Sequence, residues 1–305
     1  MGSTGQMKMS RVGLFLLVLI GLFALPAAPA FASLPQASSP VLELARTIRT
    51  TPFVNTTVSM KDGEGSAYVP SDNSLWLAAD NGRAVYEVNP ITGELKQMIG
   101  RTAFEAAPKF GGGPVAGTYR DRDLESMAYD AVNDLLYAFS GKCCTSSVQP
   151  TAFRLRRNGS GVFQVESYQP LASGSDFTAA AWNPLDGKLY VGVGSDLRTY
   201  NYATNAQGPT FKVPNLKGIF GMSFSSDGAD LFVAAKLAKL YRVDWGSKTI
   251  VPGWSFDLTP FGILDSRAVE LINDQFYVLD GYDFRPSGDP LEYAVFVLDV
   301  LETAN

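Results

Sequence analysis

Histidine is absent from the 305-residue sequence. This excludes Ser-His-Asp and Cys-His catalysis, histidine-ligated zinc or copper, and any imidazole base. Chemistry is left to carboxylates, lysine, arginine, tyrosine and hydroxyls. Cysteine is nearly absent: the two present, Cys143 and Cys144, are adjacent. A bond between them closes no chain loop and adds almost nothing through loop entropy. Basic residues are outnumbered, 25 against 30, for a net charge of −5. Without a basic stripe to displace counterions, nucleic acid is not expected as a partner. Beyond residue 32 no apolar run approaches the length of a membrane span, and no long stretch holds a 3.6-residue apolar period. No membrane span and few helices are expected there.

What is present begins with an export segment. Lys8 and Arg11 precede an apolar stretch from Val12 to Leu25, and Ala30-Phe31-Ala32 fits a small-x-small cleavage site. Residues 1–32 read as a signal peptide and 33–305 as one secreted or periplasmic domain. An uncleaved membrane anchor is the competing reading, opposed by Pro26 and the short apolar run. In an oxidising compartment Cys143 and Cys144 either form a vicinal disulfide or remain a reduced or chain-bridging pair in a surface loop. Sequons stand at Asn55 and Asn158.

One hairpin is then written four times. Ala67-Tyr68 leads to Leu75-Trp76, Ala128-Tyr129 to Leu136-Tyr137, Ala181-Trp182 to Leu189-Tyr190, and Ser223-Phe224 to Leu231-Phe232, always at the same interval and with turn residues between. Each copy continues into further strands: Ala84–Val88 and Leu95–Ile99 in the first, Leu197–Tyr202 and Thr210–Val213 in the third. A looser fifth copy, around Val269–Ile272 and Gln275–Leu279, is one strand short, and Val41–Ile48 has the length and apolar content to complete it. The repeat predicts an all-β propeller of five four-stranded blades, the last closed by the N-terminal strand. A sixth blade is possible if two are merged between Ile99 and Glu125.

Propeller geometry turns positions into locations. The residue three before the small position of each hairpin falls near one mouth of the central channel, giving Glu64, Glu125, Thr178, Phe220 and Arg267. The ends of the second strands add Asp80, Asn81, Lys142, Asp196, Lys236, Asp280 and Asp283. Glu64 and Glu125, with oxygens from Asp80 and Asp280, form a candidate site for a hard cation such as calcium. Against this, ring closure places Arg267 beside Glu64, and an Arg–Glu pair needs no metal. The longest connection, Arg101 to Asp123, reads as a lid or a disordered loop over this face. In it Arg120 and Arg122 either hold a phosphate or carboxylate or pair with the aspartates that alternate with them. Arg267, Arg120, Arg122 and Lys142 are the candidate ligand-binding residues.

Asp62-Gly63-Glu64-Gly65-Ser66-Ala67-Tyr68 and Asp123-Leu124-Glu125-Ser126-Met127-Ala128-Tyr129 resemble the D-x-E-G-x-A-Y signature of the SdiA-regulated and phytase-esterase-like propeller families. The second motif has Ser126 in place of glycine. The resemblance implies an exported propeller with calcium in its channel and no settled activity. Gly63-Glu64-Gly65 is also similar to the first blade of gluconolactonase-type propellers. That resemblance implies a divalent metal held by the glutamate, two asparagines and an aspartate, a set not completed here, because Ile219-Phe220-Gly221 and Arg267-Ala268 stand at the later ligand positions. Two functions are therefore carried forward. One is an exported module that binds a small-molecule or protein ligand on this face, and the other is a calcium-dependent hydrolase of a phosphoester or lactone.

Overall fold

The computed structural model describes residues 40–111, 123–141, 149–172, 175–281, 285–286 and 289–301. They form five antiparallel four-stranded sheets. Blade one holds β2 (Gly63–Val69), β3 (Ser74–Ala79), β4 (Ala84–Val88) and β5 (Leu95–Ile99). A short helix, α1 (Arg101–Ala106), follows it. Blade two is β6 (Leu124–Asp130), β7 (Leu135–Ser140), β8 (Thr151–Arg157) and β9 (Phe163–Pro170). Blade three is β10 (Ala179–Asn183), β11 (Lys188–Val193), β12 (Asp196–Asn201) and β13 (Ala206–Gln207), and blade four is β14 (Ile219–Phe224), β15 (Asp230–Ala235), β16 (Lys239–Asp244) and β17 (Thr249–Asp257). Blade five joins β18 (Ser266–Ile272), β19 (Gln275–Asp280) and β20 (Val295–Leu301) to β1 (Val41–Ile48), which pairs antiparallel with β20 from Val41↔Leu301 to Ile48↔Val295. The N-terminal strand closes the last blade, as its composition predicts.

The second strand of each blade explains why the ring coheres. In β3, Ser74–Ala79 is buried at every position, because a blade has a neighbour on both sides. Leu75, Leu77 and Ala79 pack toward blade five, with Tyr277, Leu279, Val295 and Val297. Trp76 and Ala78, on the other side of the pleat, pack toward blade two with Leu136, Phe153 and Phe163. Each of the five core clusters lies between two neighbouring blades.

Two expectations need correction. The connection after Ile99 makes no sixth blade among its described residues. It forms α1, which was not anticipated, and a bridge from Lys109 to Tyr168 of blade two. The outer strand of blade three is Ala206–Gln207 rather than Thr210–Val213, of which only Phe211 bridges, to Leu197. Pro209 supplies no N–H to a ladder and Gly208 packs against Thr199, so the pairing is broken where an apolar run alone suggests a strand.

Candidate functional site

The first strands of four blades break register at one point. Pairing skips Glu64 between Gly63 and Gly65, Glu125 between Leu124 and Ser126, Phe220 between Ile219 and Gly221, and Arg267 between Ser266 and Ala268. Each skipped residue is a bulge at the rim of the ring, where an extra residue re-aims a side chain. In blade three Thr178 precedes β10 and its hydroxyl donates to the Ile219 carbonyl oxygen at 2.7 Å. The structure thus gathers all five aligned residues at one mouth.

Arg267 organises half of that mouth. Its Nη1 donates to Glu64 Oε2 at 2.9 Å and its Nε to Asp265 Oδ2 at 2.7 Å, while its guanidinium lies 4.8 Å from the centre of the Phe220 ring. The other half is carboxylic. Asp123 lies close enough to the carboxyls of Asp80 and Glu125 for each to perturb the other's titration. Asn81 Nδ2 donates to Asp62 Oδ2 at 2.9 Å. Gly141 leaves the space these groups fill, since a Cβ there would lie 2.5 Å from Glu125 Oε1 and 2.7 Å from Asp176 Oδ1.

Crowding acids together out of water disfavours their charged forms. Burial, then the charges of Glu64, Asp123 and Asp176, hold the Glu125 carboxyl well above the usual range. Burial likewise raises Glu64, opposed by Arg267 and reinforced by Asp62, Asp265 and Asp80. Asp80 is pushed up to about 6 by burial and then by Asp123. These pKa values exceed those of unfolded carboxyls, so the folded chain holds more protons between about pH 4 and pH 6. The stability this supplies is complete below the unfolded pKa values and is lost as pH rises through the folded ones. The chain is expected to unfold at a lower denaturant concentration at pH 8 than at pH 5.5. An equal or higher midpoint at pH 8 contradicts these shifts.

The four residues read as a calcium set do not assemble as one. Glu64 is paired with Arg267, and Asp280 has arginine and backbone partners of its own. Asp280 is fully buried; its Oδ1 accepts the backbone N–H groups of Leu264 and Asp265 at 3.1 and 2.8 Å, and its Oδ2 accepts Arg285 at 2.6 Å. Among the described residues no group of three carboxylates has metal-holding geometry. Asp196 pairs with Lys212 at 3.2 Å. Arg120, Arg122, Lys142, Cys143, Cys144 and Asp283 lie outside the described residues.

Sequence reasoning named Asp62 and Asp123 only as the heads of the D-x-E motifs and missed that they belong to a second ring of acids. Asp62, Asp123, Asp176 and Asp265 each stand two residues before an aligned mouth residue, with Gly218 at that place in blade four. Asp62, Asp123 and Gly218 adopt a left-handed φ of 58°, 63° and 63°, a conformation that favours aspartate and glycine over bulkier residues. The carbonyls of Asp62, Asp123, Gly218 and Asp265 receive N–H groups from Asp80, Gly141, Lys236 and Gly281 at the ends of second strands. Extending the hairpin alignment by two residues would have found them.

No family model matches the chain, and no curated protein matches it. Solved structures share its architecture. A glutaminyl cyclase from Myxococcus xanthus aligns with a TM-score of 0.56 at 13% identity, over 87% of this chain and 100% of that one. A PQQ-bound aldose sugar dehydrogenase from Streptomyces coelicolor aligns with a TM-score of 0.55 at 13% identity, over 87% of this chain and 100% of that one. Among the described residues no helix is long and apolar enough to cross a membrane. At such identities the likeness bears on the fold alone, and the chain's own five four-stranded sheets make that fold a five-bladed β-propeller.

Proposed function

We propose that the chain is an exported β-propeller that binds a ligand or protein partner by receiving a positively charged group at its acidic mouth. One observation carries this reading. Arg267 sits in the mouth between Glu64 and Asp265 against the Phe220 ring, so one half already holds a guanidinium, while Asp80, Asp123 and Glu125 crowd the other. An incoming cation would relieve their mutual repulsion and displace the protons they share. Export is supported by the basic, apolar and small-residue order of residues 1–32.

The test is titration of a short arginine-rich peptide into the mature protein at low salt. Binding is expected to strengthen from pH 5 to 7.5 as Asp80 ionises, to weaken with salt, and to fall at least fivefold in Glu125→Gln and in Asp80→Asn. Affinity unchanged by both substitutions defeats the proposal. A calcium chloride titration separates the hydrolase alternative. A rise in Tm specific to calcium and lost in Glu125→Gln, together with turnover of phosphoester or lactone substrates, would replace the binding reading with a metal-dependent one.

A further inference from the structure

At the other end of the ring the channel opens into a cavity of about 640 Å3, within the range of roughly 300–1,000 Å3 usual for small-molecule sites. The repeated hairpin builds its wall. The aromatic of each small-aromatic pair lines it, as Tyr68, Tyr129, Trp182 and Phe224, with Leu271 at the same position in blade five. The Tyr68 hydroxyl donates to Asn73 Oδ1 at 3.1 Å and that of Tyr129 to Asp134 Oδ1 at 3.0 Å. Both polar ends are thus engaged by the turns of their own hairpins, and the rings remain as apolar wall.

Glu270 breaks the pattern. It occupies the position held by Ala67, Ala128, Ala181 and Ser223 in the other blades, lines the cavity, and is only 8% exposed. Its Oε1 accepts from Ser66 Oγ at 3.0 Å and its Oε2 from Ser223 Oγ at 3.0 Å, so the carboxylate is held in place by both neighbouring blades. Burial lifts its pKa to about 7. Packing alone would be served by alanine, as in three other blades, and a carboxylate kept in that place is costly. Of the described residues lining the cavity Asp274 is the other ionisable acid, and none is lysine or arginine. Gly65, Ser126, Phe220 and Gly221 line a small pocket of about 10 Å3 toward the acidic mouth, and none of Glu64, Glu125 and Arg267 lines the larger cavity.

We infer that this cavity binds a small organic cation, an ammonium group carried on an apolar frame, with its charge toward Glu270 and its carbon groups against Tyr68, Tyr129, Trp182 and Phe224. Aromatic faces attract cations through the ring quadrupole, most strongly when water is excluded. A purely apolar ligand would make no use of the Glu270 charge, and an anion would be repelled by it.

The probe pair is choline and its neutral isostere 3,3-dimethylbutan-1-ol, with glucose for carbohydrate, titrated into the mature protein at pH 8 by calorimetry and tryptophan fluorescence. Choline is expected to bind at least tenfold more tightly than the isostere. Glu270→Gln, which keeps the shape and removes the buried charge, is expected to abolish that preference. Trp182→Leu is expected to weaken choline at least fivefold while leaving the Glu270 charge in place, which keeps the test decisive if the first variant does not fold. Glu125→Gln, at the opposite mouth, is expected to leave choline affinity unchanged, so this proposal and that for the acidic mouth fail separately. No saturable choline binding, equal affinity for the isostere, or glucose binding in preference to choline overturns the inference.

Discussion

Replacing Arg267 by methionine is expected to cost about 3–5 kcal/mol at pH 8, the usual penalty for removing one partner of a buried ion pair. The guanidinium is three-quarters covered and its Glu64 partner nine-tenths covered. Its loss strands two carboxylates, Glu64 and Asp265, beside Asp62 and Asp80. Methionine retains the apolar stem but offers no donor. The effect has a pH signature that a packing defect lacks. Glu64 is already raised above the ordinary carboxylate range, and without Arg267 it rises further. At pH 5 it takes up a proton, and the penalty is expected to shrink to well under half. For a domain of this size about 2–4 °C of Tm accompanies each kcal/mol, so a fall of roughly 10 °C at pH 8 is expected by calorimetry. The double variant Arg267→Met with Glu64→Gln is expected to recover most of it. A loss equal at both pH values would show that Arg267 acts by packing alone.

Much of this arrangement is legible in the sequence because hairpins are local. The interval from Ala67 to Leu75 fixes a two-strand register, and repeating it fixes the blades, the closing strand and the common position of Glu64, Glu125, Phe220 and Arg267. The alignment even anticipates the Arg267–Glu64 pair, which spans 203 positions. What sequence does not show is which partner a side chain prefers among several within reach. Asp280 has the spacing of a mouth acid, yet the structure turns it toward Leu264, Asp265 and Arg285. Glu270 is visible as an odd residue in the small position. That it faces a cavity rather than a packed core depends on channel width, which is set by all five blades together. The aromatics beside it were legible as a fold signal, and their second role as the wall of a cavity was not.

The tightest constraint on that width is a pair of glycines, and substituting them is expected to have the largest effect on folding. Gly65 and Gly221 each follow a bulged residue at the ring's inner edge. A Cβ on Gly65 would lie 2.6 Å from Ser126 Cα, and one on Gly221 would lie 2.5 Å from Ala268 Cα and 2.8 Å from the Arg267 carbonyl oxygen. These are backbone atoms of the next blade, and they can move only if two inner strands part. In a closed ring a parting between two blades is transmitted to the other interfaces, because interiors packed at crystal density have no slack to absorb it. Overpacking of this kind costs about 1–3 kcal/mol per methyl group, and more where the obstacle cannot rotate away. Gly221→Ala is therefore expected to lower stability by at least about 3 kcal/mol, and Gly65→Ala with Gly221→Ala to leave little soluble protein. Gly159→Ala, with nothing within 4 Å of the added methyl group, is the matched control and is expected to be neutral. Gly221→Ala also pushes on the carbonyl of Arg267, so a partly folded variant is expected to lose peptide binding at the acidic mouth before it loses choline binding at Glu270. Wild-type stability in Gly221→Ala would mean that the blades pack more loosely than these contacts require.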